Sequence, residues 1–497
     1  MNKEILYGAI ISYVSFFTSA IIGIIYTPFM LSYLGTSEFG LYNIALSVCT
    51  YLMILDNGFN SSVIRYLAYY RGKGDTTKQQ AVISTSLVLY TGLGGICLVM
   101  GIVLYLLVPI LYGDSLTEEE LSKLETIVLM IILYISVNFP MSVLQSMLTA
   151  HEKFAIIKTT KFAASLLMPL IMTPLLLMGY KAVTMSLVSI TIGISSSLCY
   201  LAFVKRLNSV KISYKKYDKD ILRQLVRFSI PLFVVMICDC IHRSFGTFYI
   251  GMVTGTIGVT IFSLVIQMRN YVETFVKALS TLFLPKFSMQ VSDKECINLY
   301  STQYGIITRF EVHLALLILF GFTLFGFDFY TYWAKDVDTM ILYNSTLLLL
   351  SLLVIPMSMS VGEEIVKALN MQKYLMYCNV LKVILALIIM FAYTKYFGSY
   401  ACAFALGISS FVFDTLFMSI VYRAKIRMNL HSSFITLIKN YVPVILICTF
   451  VYIQNIYEYA FFYKIIILLL YCTFYFYVEL NNYEKSLIFN VINKIRR

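Results

Sequence analysis

The sequence predicts an all-α polytopic membrane protein of about fourteen transmembrane helices, and three observations carry that prediction. Of 497 residues, 59% are hydrophobic and only 13% charged, whereas a soluble domain carries about 25% charged residues. Apolar runs of about 20 residues, long enough to cross the hydrocarbon core, recur along the whole chain. None alternates with period two, which excludes a membrane barrel and leaves a helical bundle. Finally, lysine and arginine fall into every second connection between the runs, as the positive-inside rule demands.

The first run, 8–31, is too long for the apolar core of a signal peptide and no small-residue cleavage site follows it, so it reads as span 1. Span 2, 39–56, ends on Asp56 and is followed by Asn57-Gly58. Both of those residues tolerate positive φ and signal a turn, so the helix is expected to stop there. A carboxylate at a helix C-terminus opposes the dipole. Asp56 is therefore expected to take a cationic partner at the inner rim, with Arg65 nearest in sequence, and the pair to act in gating. Spans 3 to 6 are 81–108, 126–149, 159–179 and 182–204. In YDKDILRQLVRF (217–228), Ile221, Leu222, Leu225 and Val226 share one face, and Lys219, Arg223 and Arg227 another. That pattern reads as a helix on the cytoplasmic leaflet linking two halves of the molecule. Spans 7 to 12 are 228–250, 254–276, 306–327, 340–362, 374–396 and 400–422, and spans 13 and 14 are 440–457 and 461–480. The tail EKSLIFNVINKIRR repeats the amphipathic pattern.

With the N-terminus inside, thirty of the 38 Lys and Arg lie on the cytoplasmic side and five outside, so both termini are expected in the cytoplasm. The net charge of +12 is mostly this orientation signal facing anionic lipid, and not a nucleic-acid patch. The ten cysteines are scattered, mostly through apolar stretches without metal-ligand spacing, and read as small buried hydrophobes. No HExxH, GxSxG or Walker pattern is present. The chain is expected to be neither an enzyme nor the holder of a cofactor or metal.

Two pairs of segments match at nearly one offset. Thr36 and Gly40 of LGTSEFGLYNIALS match Thr254 and Gly258 of MVTGTIGVTIFSLV at 218, and Lys153-Phe154 matches Lys373-Tyr374 at 220. Spans 1–6 then correspond to spans 7–12, in the same orientation because six is even. The expected organisation is an N-terminal six-helix lobe (1–204), the linker (205–227), a second six-helix lobe (228–422), and two last helices with the tail (423–497). Transporters built from such parallel repeats place substrate between the halves.

Three basic residues are left that belong to neither side and lie deep within spans: Arg243 in span 7, Arg269 in span 8 and Lys382 in span 11. Lys161 sits almost equivalently to Lys382 in span 5. A basic residue at mid-helix costs about 2.5–3.5 kcal/mol on insertion scales, so it should face the bundle interior. Asp239 and Arg243 are i,i+4, and Arg269, Glu273 and Lys277 form an i,i+4,i+8 row. These pairs read either as braces, with Lys161 and Lys382 snorkelling to the interface, or as the lining of a cationic cleft that suits a phosphate-bearing substrate. On the second reading Arg269, Arg243, Lys382 and Lys161 bind substrate. Asp56, Asp239, Glu273 and Asp414 are then candidates for proton or sodium coupling.

YLGTSEFGLYNIALS followed by LDNGFNSSVIRYLAYYRGKGD resembles the lipid-linked polysaccharide flippases of bacteria, in the multidrug/oligosaccharidyl-lipid/polysaccharide exporter superfamily. The matching residues are Gly35, Phe39, Gly40, Asp56, Gly58, Arg65, Tyr66, Gly74 and Asp75; Asn57 replaces the commoner Leu. IGVTIFSLVIQM and LSTLFLPKFS (279–288) resemble the family's second half. The resemblance implies two six-helix lobes in a V, carrying undecaprenyl-diphosphate-linked oligosaccharide across the bacterial cytoplasmic (inner) membrane by alternating access, for O-antigen- or capsule-type polysaccharide. It implies partnership with other polysaccharide-assembly membrane proteins and no enzyme activity. The related lipid II flippases carry an Arg and a following Glu in span 8. Arg269 and Glu273 look similar, at a spacing of four instead of three. The competing readings are a cation-coupled multidrug or small-metabolite antiporter of the same superfamily, which the surplus of intramembrane cations opposes, and a membrane polysaccharide polymerase, which the short acidic outer loop at 109–125 opposes.

Overall fold

The computed structural model describes residues 18, 21–206, 214, 216–277, 296–369, 371–428, 431–454 and 461–474. Among them the chain is helical throughout, without strands. The helices are α1 (Ile21–Leu34), α2 (Thr36–Gly72), α3 (Thr76–Tyr112), α4 (Glu118–Ala150), α5 (Phe154–Leu177), α6 (Ala182–Lys205) and α7 (Lys219–Lys277). They continue with α8 (Cys296–Trp333), α9 (Thr339–Ser358), α10 (Ser360–Ala368), α11 (Gln372–Phe397), α12 (Ser399–Ile426), α13 (His431–Ile453) and α14 (Phe461–Phe474). Ten helical stretches are long and apolar enough to cross a membrane, and α1, α13 and α14 are shorter apolar helices within the described residues. The α7 stretch accounts for two spans, because Gly255 (φ 70°, ψ −161°) folds it into a corner. The tail 484–497 and the 279–288 stretch lie outside the described residues.

By contacts the chain divides into two compact units. The first comprises Met1–Leu264, Ala334–Asp338 and Asn379–Leu406. Within it α4 is the central helix, packed on α2, α3, α5 and α6. Leu124, Ile127, Val128, Ile131, Ile135, Phe139 and Val143 recur at three- and four-residue spacing and are all buried. A capping box starts α4: Glu120 N–H donates to the Thr117 hydroxyl at 3.3 Å, and Thr117 N–H donates back to the Glu120 carboxylate at 3.0 Å. In lipid no hydrophobic force drives helix against helix, so close packing must do it, and small residues permit close approach. Gly94 of α3 is such a site, since a Cβ there would meet the Ser136 carbonyl at 2.6 Å.

Two sequence expectations change here. The helix does not stop at Asn57-Gly58: α2 runs unbroken through Asp56 to Gly72, and the turn falls at Lys73-Gly74, with Gly74 at φ 70°. The amphipathic 219–228 segment is the start of α7 and is continuous with the span that follows. Its two faces are as read, with Ile221 and Leu225 buried and Arg223 and Arg227 exposed. Asp218 begins it, its carboxylate accepting from the N–H of Asp220 at 2.8 Å.

The repeat also shifts by two residues at its corner. Gly35 (φ 80°) opens α2 as Gly255 (φ 70°) divides α7, so these positions match at an offset of 220, the same as Lys153 and Lys373. The two corners touch. The Thr260 hydroxyl donates to the Thr36 carbonyl at 2.6 Å. A Cβ on Gly40 would lie 2.2 Å from the Thr256 carbonyl. Exchanging 36 with 256 and 40 with 260 maps one contact onto the other, which is the pattern of an isologous interface.

The second unit comprises Val265–Trp333, Thr339–Cys378 and Gly407–Arg497. Here α8 is central and packs on α9, α10, α13 and α14. Polar side chains are spent on local bonds: Tyr343 donates to the Thr323 carbonyl at 2.7 Å, and the Tyr330 and Thr346 hydroxyls lie 3.0 Å apart. Phe320 stacks on Tyr471 with centroids 4.0 Å apart, joining α8 to α14. Lys464 of α14 is fully buried and pairs with Asp328 of α8.

Candidate functional site

In the first unit a polar seam crosses the apolar interior between α2 and α4. Asp56 and Asn60 stand i,i+4 on α2, and Ser142 and Ser146 stand i,i+4 on α4. The Ser142 hydroxyl donates to Asp56 Oδ2 at 2.8 Å, and the Ser146 hydroxyl to Asn60 Oδ1 at 2.5 Å. Tyr90 of α3 donates to the Asp56 backbone carbonyl at 3.2 Å. Asp56 Oδ1 is buried and accepts no hydrogen bond among the described residues. Lys161 of α5, exposed, acts on this carboxylate electrostatically. Gly in a helix interior costs about 1 kcal/mol relative to Ala, and these cross-helix bonds offset it. Gly58 also makes room: a Cβ there would stand 3.0 Å from the Phe233 ring of α7.

The expected Asp56–Arg65 pair does not form. Nine residues of continuous helix span about 13 Å, and Arg65 instead lays its guanidinium over Phe228 at 4.4 Å. Further along the same unit, Arg243 donates through Nε to both carboxylate oxygens of Asp239, at 3.0 and 3.1 Å. Both side chains are half exposed, at 40% and 48%. Lys382 of α11 is buried and lies within electrostatic reach of Cys238, beside Asp239 on α7.

In the second unit Arg269, Glu273 and Lys277 form the expected row on α7. Arg269 Nη2 lies 3.4 Å from Glu273 Oε2, and Lys277 Nζ donates to Glu273 Oε1 at 2.8 Å. Arg269 is 5% and Glu273 8% exposed. The row carries two positive charges and one negative, with Arg269 and Glu273 buried and Lys277 partly exposed. Asp414 sits in a π-helical stretch of α12, Phe411–Phe417, and accepts from the Cys378 thiol at 3.4 Å. Widened helical turns of this kind occur often at functional sites.

Sequence reading missed three charged groups that the fold engages. Glu38 of α2 pairs with Lys123 of α4 at 2.7 Å and accepts from the Ala182 N–H at 3.2 Å. Glu311 of α8 is fully buried, with the Ser360 hydroxyl 3.3 Å away. Lys464 meets Asp328. For Glu311 the signal was present, a carboxylate inside the apolar run 306–327. Glu38 precedes its span and gave none.

The arrangement holds fixed cations in apolar helices, together with the buried Asp56 Oδ1, which accepts no hydrogen bond among the described residues. Such groups interact with anions and with cations respectively.

The sequence profile described as polysaccharide biosynthesis protein matches residues 5–291. No curated protein matches the chain. Among solved structures, the fold is similar to a lipid II flippase, MurJ, in an inward closed conformation. That likeness has a TM-score of 0.71 at 15% identity and covers 93% of this chain and 96% of that one. An inward-facing multidrug resistance MATE family transporter of the MOP superfamily aligns with a TM-score of 0.58 at 14% identity, over 82% and 98% of the two chains. A MOP superfamily transporter from Pyrococcus furiosus, described by the reverse polarity of its binding pocket, aligns with a TM-score of 0.57 at 14% identity, over 84% and 94%.

Proposed function

Because the chain belongs to the polysaccharide biosynthesis protein family, we propose that it is a flippase carrying a polyprenyl-diphosphate-linked oligosaccharide across the cytoplasmic membrane by alternating access. The observation that supports this reading most is the burial of two intramembrane cations, Arg269 at 5% and Lys382 at 9% exposure. A cation is costly to keep in a span, and a diphosphate head is the kind of ligand that returns the cost. Arg243 and Lys161 serve as further substrate contacts on this reading. Asp56, Asp239, Glu273 and Asp414 are the candidates for proton or sodium coupling. The two matched six-helix halves move as rocking bodies, with both termini on the cytoplasmic side.

The test is accumulation of substrate. In a strain lacking the gene, single oligosaccharide units on the lipid carrier should build up on the inner leaflet, and Arg269→Ala should reproduce that while the protein remains inserted. Arg269→Lys should keep part of the activity, since the charge survives without the planar fork. Full export by the alanine variant at normal expression removes the proposed role of Arg269.

One observation favours a second reading, cation-coupled antiport of a small metabolite: the undonated Asp56 oxygen, which is an acceptor for a cation. Resistance or efflux phenotypes without lipid-linked sugar accumulation would select it.

A further inference from the structure

Between α5 and α6, inside the first unit, lies a groove of about 480 Å³. Its walls include Thr159, Ala163 and Ala164 of α5 and Ser196, Cys199 and Phe203 of α6. Small side chains where Leu would fill the space create the volume. The hydroxyls do not make it polar. Ser195 and Ser196 donate to the carbonyls of Thr191 and Ile192 at 2.8 and 2.9 Å, and the Thr160 hydroxyl lies 3.6 Å from Cys199 Sγ. Each serine is therefore satisfied by its own helix, and the wall presents hydrocarbon and sulfur.

One end of the groove is positive. The α6 stripe Ile192, Ser196, Cys199, Phe203 continues at helical spacing to Arg206, which is exposed and stacks its guanidinium over the Phe203 ring at 5.5 Å. At the same end α5 begins at Phe154, and its first-turn residues Ala155 and Ile156 line the groove. The positive N-terminal end of α5 and the negative C-terminal end of α6 meet here and oppose one another, so the positive charge of the mouth is that of Arg206. An apolar slot of this shape with a cationic mouth matches a lipid: chain in the slot, phosphate at the mouth.

We propose that this groove seats one acyl chain of a singly charged anionic phospholipid, its phosphodiester held between Arg206 and the first turn of α5. The charge decides the occupant: with the two helix ends opposing one another, the one guanidinium on the groove stripe matches a single negative charge, whereas a diphosphate asks for more. The further lysines of α5, Lys158 and Lys161, fall on the opposite helical face by their spacing from Thr159 and Ala163. The seat is therefore separate from the proposed transport path and does not depend on it. It would make the α5–α6 pair responsive to the anionic lipid content of its leaflet.

Purified full-length protein, stripped of lipid and titrated with phosphatidylglycerol or phosphatidylcholine, tests this by native mass spectrometry. Phosphatidylglycerol should be retained preferentially. Arg206→Gln should weaken that retention about fivefold, the scale of one basic contact with anionic lipid, and leave phosphatidylcholine unchanged. Lys158→Gln, on the opposite face, should change neither. A readout on the unaltered chain guards against misfolded variants: phosphatidylglycerol should slow alkylation of Cys199 by N-phenylmaleimide more than phosphatidylcholine does. Equal retention of the two lipids, wild-type retention by Arg206→Gln, or displacement of phosphatidylglycerol by an equimolar polyprenyl diphosphate would each overturn the proposal.

Discussion

Asp56 has one carboxylate oxygen held by Ser142 and the other undonated in the interior. Replacing it with Asn keeps an acceptor for Ser142 and removes the charge. Asp56→Asn should therefore abolish export while shifting the melting temperature little, whereas Ser142→Ala should lower export less. Thermal unfolding and glycan export on the same preparations check both. Asp56→Arg combined with Arg65→Asp should be no better than the worse single variant, because Arg65 stacks on Phe228 and not on Asp56; restored export would bring the ion pair back. Gly40 gives a purely steric case. A Cβ there meets the Thr256 carbonyl at 2.2 Å, and backbone cannot rotate aside as a side chain can. Gly40→Ala should cost about 1–3 kcal/mol, the usual scale of overpacking, read as a lowered melting temperature. Sequence matching found Gly40 as one half of a repeat. The carbonyl against it comes from a residue 216 positions away and had no local signature.

At the scale of elements, α2 is where local chemistry and tertiary packing disagree. Asn57-Gly58 is a turn signal by propensity, and the fold overrides it with bonds from α3 and α4 and with Phe233 packed at Gly58. Single-cysteine substitutions from Thr50 to Gly72 should accordingly label with an unbroken 3.6-residue period. Uniform reactivity across 57–59 would show a loop. Most of the remaining layout was legible, because a run of apolar residues in lipid has to be a helix. The reading also separated spans 7 and 8, at 251–253, two residues short of the corner that Gly255 makes. Helix lengths were less legible. The apolar run 81–108 lies within a helix from Thr76 to Tyr112, because helices continue past the hydrocarbon into polar surroundings where hydropathy gives no warning. The row Arg269, Glu273, Lys277 was readable from i,i+4 spacing alone. The Asp56–Ser142 contact was not, because it joins two helices 86 residues apart.

At the scale of the whole molecule, orientation and transport remain as proposals with direct tests. The proposed orientation, drawn from the thirty-to-five distribution of basic residues, has 205–227 in the cytoplasm. A cysteine at Tyr217, an exposed position, should react with a membrane-impermeant maleimide only after the cells are opened; labelling of intact spheroplasts would invert the layout. The fold is similar to those of a solved flippase and solved transporters, the family is that of polysaccharide biosynthesis proteins, and on the proposed function the buried cations argue for an anionic cargo. The most direct measurement reconstitutes the purified protein into liposomes loaded on one leaflet with a polyprenyl-diphosphate oligosaccharide, and follows its exposure to a glycosidase added to the other side. The account predicts cleavage at a rate well above protein-free liposomes, lost in Arg269→Ala and kept in part by Arg269→Lys. Wild-type protein that leaves the oligosaccharide as protected as empty liposomes do, under imposed proton and sodium gradients alike, would contradict it.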